Sequence, residues 1–199
     1  MQNTSSAVMQ QRKEPHKSLD DFPTPPWATR ALLKYGKIDS GTCREPAANR
    51  GHMVKPLRDE MESVEASDVF DYGCGFKVND YLFGPDPTDV DWTITNPPFR
   101  LAEQFIERAL RTSRAGVAVI VRSAFLEGIG RYNGLFSKTP PTSILQFSER
   151  VVMHKGKLSA KGSTATAYCW LVWNHSMSGT CFGWIPPCRR HLERKSDYE

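Results

Sequence analysis

Apolar and polar positions change period several times along this chain, and each change marks an element. Over "LAEQFIERALRTSRAG" the residues Leu101, Phe105, Ile106, Ala109 and Leu110 recur at helical spacing, which predicts an amphipathic helix. The next run, "GVAVIVR", is apolar almost without a break, the pattern of a strand buried on both faces of a parallel sheet. "VDWTITN" is β-branched and aromatic and predicts another strand. Shorter strand candidates are "GTCREP" and the part of "SVEASDVFDYG" that ends near Asp68. "TSILQFSERVVM" and "TATAYCWLVW" predict two later strands, with the basic, glycine-containing "HKGKLSAKGS" as a hairpin loop between them.

Two further helices are expected. In "DFPTPPWATRALLKYG" the prolines fix an extended entry and Pro26 suits a first helical turn; Trp27, Leu32 and Leu33 supply the stripe and Gly36 the stop. "ANRGHMVKPLRDEM" reads as a turn into a helix, although Pro56 inside it predicts a kink or break. "VNDYLFG" shows no usable period. Strands alternating with helices, then a strand pair, predict an α/β sheet, mostly parallel, with helices on both faces and an antiparallel strand at one edge. In such sheets ligands bind beyond the carboxyl ends of the strands. "EPAANRG" and "NPPF" both fall at strand ends, so they are expected on one rim. Residues 1–20 are polar and charged and are expected as a loose tail, with residues 21–199 as a single domain.

Composition narrows the partners. Of 199 residues, 39% are apolar, enough for a real core, and the net charge of +4 suits an anionic partner without requiring one. No run approaches the roughly 18 apolar residues of a membrane span, and the first residues lack the apolar core of a secretory signal. Five cysteines without CxxC spacing argue against a disulfide scaffold and for a reducing, cytoplasmic setting. Cys181, Cys188, His175 and His191 lie near one another in sequence but match no common zinc spacing, so no metal is expected.

The stretch "DWTITNPPF" poses the chemical question. Proline cannot donate to a sheet ladder, so the strand ends at Asn96, and an aromatic ring follows a stiffened turn. An exocyclic base amine reacts poorly because its lone pair is delocalised into the ring. Two acceptors for its protons favour a tetrahedral nitrogen, and the Asn96 side-chain oxygen with the Pro97 carbonyl can be those acceptors. Phe99 can stack on a base swung out of its duplex. With a sulfonium methyl donor no strong general base is needed, and positioning carries the catalysis. The plainer alternative is a proline-stiffened connection between a strand and a helix.

Taken together, "NPPF", the upstream "FPTPP" and the intervening "EPAANRGHM" resemble the amino-methylating DNA methyltransferases that use S-adenosylmethionine. The similarity is closest to the small phage and prophage N6-adenine enzymes and runs from about Asp21 to the C-terminal "WIPPCRRHLERKSDY". It implies a Rossmann-like class I methyltransferase sheet and N6 methylation of adenine in double-stranded DNA in a bacterial host's cytoplasm. By the same resemblance Phe22, Thr24 and Pro25 lie against the methionine part of the cofactor, and Glu45, Pro46, Ala47 and Gly51 form the loop after the first strand. Asp68 matches the acid that holds the ribose hydroxyls, Asp80 the acid that accepts from the cofactor's adenine amine. Asn96, Pro97, Pro98 and Phe99 match the catalytic motif. Many relatives carry two glycines in the cofactor loop; here Asn49 stands in place of the first, a residue that tolerates left-handed backbone.

Candidates for the nucleic-acid grip are Arg100, Arg122 and Arg131, with Lys155, Lys157 and Lys161 in the later loop. Glycines 128, 130 and 134 make "LEGIGRYNGLF" read as a mobile loop. The sheet uses most of the chain, so recognition is expected to be short or relaxed, or shared with a second copy in a homodimer. Alternative readings are methyl transfer to RNA or to a protein glutamine, and a non-catalytic nucleic-acid-binding protein on the same fold. A nucleotide-binding oxidoreductase lacks its GxGxxG and leaves the double proline unexplained.

Overall fold

Eight strands make one sheet in a computed structural model that describes residues 20–198. Of the tail expected over residues 1–20, all but Asp20 lies outside the described residues. The strands are β1 (Thr42–Glu45), β2 (Ser63–Asp68), β3 (Lys77–Val78), β4 (Val90–Thr95), β5 (Ser113–Arg122), β6 (Ser143–Phe147), β7 (Tyr168–Asn174) and β8 (Cys181–Ile185). Their order is β3-β2-β1-β4-β5-β7-β6-β8. From β3 to β5 every pairing is parallel; β7 runs against both β5 and β6, and β8 lies parallel to β6. The expected mixed sheet is therefore present, with its reversed strand in the half toward the β8 edge and two more strands beyond it.

The unbroken apolar run of β5 has its reason in the layers. Val117, Val119 and Val121 belong to a core with Ile106 and Ala109 of helix α3 (Ala102–Arg111). Ala118 and Ile120 point the other way, into a core with Trp27, Ala28 and Leu32 of helix α1 (Pro26–Tyr35) and Leu57 of helix α2 (Val54–Glu60). Successive strand residues alternate faces, so a strand covered on both sides must be apolar throughout. Gly116 opens this run because Trp92 of β4 lies across it; a Cβ there would sit 2.6 Å from the indole Cζ3.

Pro26 begins α1, as expected, with Pro25 in extended conformation before it. Gly36 closes the helix without left-handed backbone, at φ −88; what it supplies is space, since a Cβ would meet Leu32 Cδ1 at 2.7 Å. Pro56 does not break α2, because it is the third helical residue, where the missing N–H has no partner to lose. The "LEGIGRYNGLF" segment, read as a loop, contains one α turn (Ile129–Arg131) and a π turn (Tyr132–Phe136), after a 3-10 turn (Ser123–Leu126). Arg131 holds it, pairing with Glu103 of α3 at 3.1 Å and donating to the Phe125 and Glu127 carbonyls. At the other end of the chain Asp197 is nearly buried and takes both terminal nitrogens of Arg30 at 2.8 Å, clamping the C-terminus onto α1.

Candidate active site

Strands β1 and β4 are parallel neighbours, so the segments that follow Glu45 and Thr95 leave the sheet side by side. They border a cleft of about 860 Å³, open to solvent. Its wall includes Phe22 and Thr24 before α1, Pro46 and Ala47 after β1, Asp68 at the end of β2, Asp80, and Asn96 and Pro98 after β4. The structure thus gathers residues far apart in sequence onto one rim, at the strand ends where the sequence places them.

The loop after β1 is built on carboxylates. Glu45 is fully buried, and its Oε1 accepts from the Ala47 amide at 3.0 Å and from Thr95 Oγ1 at 2.6 Å, tying the two turns together. Burial, helped by the nearby Asp68 charge, pushes the Glu45 carboxyl up to about 8. Asp68 Oδ2 accepts from the Asn49 amide at 2.8 Å and its Oδ1 from the Phe70 amide at 3.0 Å. Burial raises its pKa against those bonds. Each oxygen keeps a further lone pair for a ligand.

Asn49 is left-handed, at φ 49, so the glycine position is filled by a residue that can take the required backbone. Its side chain turns aside and donates to Asp21 Oδ1 at 2.8 Å. Arg50 adds an ion pair to Asp21 at 2.9 Å. Burial works to raise Asp21, but the hydrogen bonds from Arg50 and Asn49 outweigh it and hold the carboxyl below its usual range. Gly51 has φ +81 and lies under the Phe76 ring, which a Cβ would meet at 2.8 Å, so this glycine is required on both counts.

The second turn is fixed differently. Pro97 is buried, and the Pro98 carbonyl is taken by the Leu101 amide at 2.9 Å. Asn96 donates through Nδ2 to the Phe22 carbonyl at 2.9 Å, which leaves Oδ1 as the acceptor of its amide. Phe99 donates its amide to Asp20 at 2.8 Å, and its ring packs against Phe22 at 5.3 Å. The Arg122 guanidinium lies 4.0 Å over the Phe99 ring.

Pro25, Glu45, Gly51, Pro97 and Phe99 do not line this cleft; Pro97 and Phe99 adjoin its Asn96 and Pro98, and Pro25 is buried as the residue before α1. Asp80 is exposed, with Oδ1 accepting from the Leu82 amide at 2.9 Å. Of the basic candidates, Arg100, Lys155, Lys157 and Lys161 are exposed, Arg131 is engaged with Glu103, and Arg122 stacks on Phe99. Tyr72, His52, Val69, Tyr81 and Phe105 also line the cleft and were not anticipated. Only the Asn-Arg-Gly-His run around His52 carried any local signal for them. Burial lowers the His52 pKa, and its Nδ1, like Thr24 Oγ1, is buried with no hydrogen-bond partner among the described residues. Two orphaned polar atoms at one cleft fit a ligand with polar groups of its own.

No family model matches the sequence, and no curated protein matches it in sequence. Solved structures do share its fold. A modification subunit described as part of a type I restriction enzyme, from Vibrio vulnificus YJ016, aligns with TM-score 0.61 and 15% identity over 98% of this chain and 53% of its own. The methyltransferase subunit of a type I restriction-modification system from Streptococcus thermophilus aligns with TM-score 0.60 and 10% identity over 89% of this chain and 50% of its own. An assigned RNA methyltransferase from Pyrococcus horikoshii aligns with TM-score 0.59 and 19% identity over 84% of this chain and 95% of its own. The chain has the Rossmann-like fold of class I methyltransferases. It spans about half the length of the two restriction-system subunits.

Proposed function

We propose that this protein methylates the N6 amino group of adenine in double-stranded DNA, using S-adenosylmethionine. The orientation of the Asn96 amide carries the reading. Because Nδ2 is committed to the Phe22 carbonyl, Oδ1 is the acceptor presented at a rim shared with Asp68, Asp80 and Thr24. The Pro98 carbonyl is already used, so Pro97 is the backbone acceptor available to a second amine proton. Two acceptors on one turn favour a nitrogen whose lone pair is released from the ring.

The residues of the cleft fit the cofactor. Asp68 has lone pairs for two vicinal hydroxyls, Asp80 can accept from an adenine amine, and Thr24 Oγ1 lacks a partner near where an amino-acid moiety would lie. When bound, S-adenosylmethionine supplies a methyl group on an activated sulfonium. The chain's own part is to hold the amine in line with it and to bear the amine's developing positive charge through Asn96 and Pro97. The mild positive charge and the exposed Arg100, Lys155, Lys157 and Lys161 favour a polyanionic acceptor, in keeping with the restriction-system subunits that share the fold.

The test is transfer of labelled methyl to unmethylated duplex DNA, RNA and protein side by side, with digestion to the product nucleoside and Asn96→Ala as control. Label in N6-methyladenine that is lost in the variant supports the proposal. Label in RNA or in glutamine keeps the chemistry and changes the acceptor, and no transfer with no cofactor binding leaves a binding protein.

A further inference from the structure

The environment of Phe99 has a feature that the methyl-transfer reading does not use. Arg122, the last residue of β5, lays its guanidinium 4.0 Å over the Phe99 ring and 5.9 Å from the Phe22 ring, in the notch between two side chains that themselves touch at 5.3 Å. The guanidinium is flat, delocalised and of a size to cover one face of a six-membered ring, so at 4.0 Å over Phe99 it takes the space that a stacked nucleobase would need. The Tyr168 side chain on β7 takes a hydrogen bond from this guanidinium, while its Nε is buried without a hydrogen-bond partner among the described residues, a polar atom left unsatisfied over the ring.

We propose that Arg122 is a stand-in for the target base: it occupies the stacking face of Phe99 in the free protein and is displaced when adenine enters beside Asn96. This rests on the reading of the Asn96–Phe99 turn as the site of base methylation. The guanidinium covers one face of the Phe99 ring while Phe22 stands toward its edge, so a base that stacks on that face needs the guanidinium's place. A cation on the ring keeps an apolar pocket from collapsing before the base arrives, and the contact must be broken when it does. Arg122 thus sets the threshold for base entry, as a positioning residue, without touching the reacting atoms.

The experiment compares wild type, Arg122→Met and Arg122→Lys by fluorescence anisotropy, with S-adenosylhomocysteine present. The probes are a short labelled oligo(dA) and an abasic oligomer of the same length, which keeps the phosphates and lacks the base. Methionine has neither charge nor a flat group, and lysine keeps the charge without the flat group. A stacked cation of this kind is worth enough that its removal should tighten oligo(dA) by roughly three- to tenfold relative to the abasic oligomer. Lysine should give a smaller gain in the same direction, and it serves alone if the methionine variant does not fold. Equal weakening on both oligomers with methionine, and wild-type binding with lysine, would make Arg122 a phosphate contact and overturn the proposal. Unchanged base preference in both variants would overturn it as well. Methyl transfer by wild type to duplex DNA is measured first: if no N6-methyladenine forms, the base-methylation reading falls whatever the variants bind, and with it this proposal.

Discussion

The two turns at the rim are held by opposite means. From Glu45 to Gly51 the chain is shaped by hydrogen bonds: Glu45 takes the Ala47 amide, Asp68 takes the Asn49 amide, and Asp21 gathers Asn49 and Arg50. From Asn96 to Phe99 it is shaped by two pyrrolidine rings, with Asn96 and Phe99 each making one bond to the segment before α1. A turn built from carboxylates can match a polar ligand and responds to pH. A turn built from prolines presents acceptors that do not themselves titrate. The division fits a cofactor on one side and a reacting amine on the other.

Substitutions should separate the two turns, beginning with the largest effect. Asn96→Ala removes an acceptor used chiefly as the amine becomes tetrahedral, and should lower kcat for methyl transfer by about 10²–10³-fold, as for other preorganised polar groups. Calorimetry should show cofactor binding retained; its loss would mean that the proline turn also builds the cofactor site. Asp68→Ala should do the reverse, weakening cofactor affinity by about 10- to 100-fold, the worth of hydrogen bonds to a charged group. If titration shows no change, the ribose is held elsewhere.

Asn49→Val places a β-branched residue at φ 49 and removes the bond to Asp21, so it should cost about 1–3 kcal/mol in denaturant unfolding, whereas Asn49→Gly should cost less. Equal midpoints for the two would show that the left-handed backbone carries no strain. The smallest effect concerns pH. Glu45 is raised from 4.5 to about 8 by burial, so the folded chain binds this proton more tightly than the unfolded one. Its contribution is complete below pH 4.5 and is lost as pH rises through about 8. Glu45→Gln should therefore flatten the fall in Tm between these limits, and an unchanged slope would place the titration on another group.

Much of this was legible in the sequence because it is local. Trp27 and Leu32 in α1, the alternating faces of β5 and the strand that ends at Asn96 follow from the period of their own segments, and Asn49 declared its backbone by its type. Two short strands were not legible. β3 has only two residues, and β8 exposes Phe182 and Trp184 where an edge strand usually shows polar side chains. Pro56 misled because its effect depends on its position in a helix whose start lacks a side-chain cap. Within the site, the stacking of Arg122 on Phe99 and the engagement of Arg131 with Glu103 join segments more than 20 residues apart, so neither leaves a local pattern. The motif gave the resemblance; the neighbours of its side chains had to be seen.

Residues 20–22 bond to both turns of the rim. Asp20 receives the Phe99 amide across 79 residues of chain, the Phe22 carbonyl receives Asn96 across 74, and Asp21 receives Asn49 across 28. The Asp21 carbonyl also accepts from Gly156, in the connection between β6 and β7. Non-local contacts form only after the loops between them have closed, and that closure is slow. These partners follow the segment one after another along the chain, and the last of them, Gly156, comes only after the sixth strand. The cleft is therefore completed late, because the segment that joins its two turns must wait for partners from far along the chain.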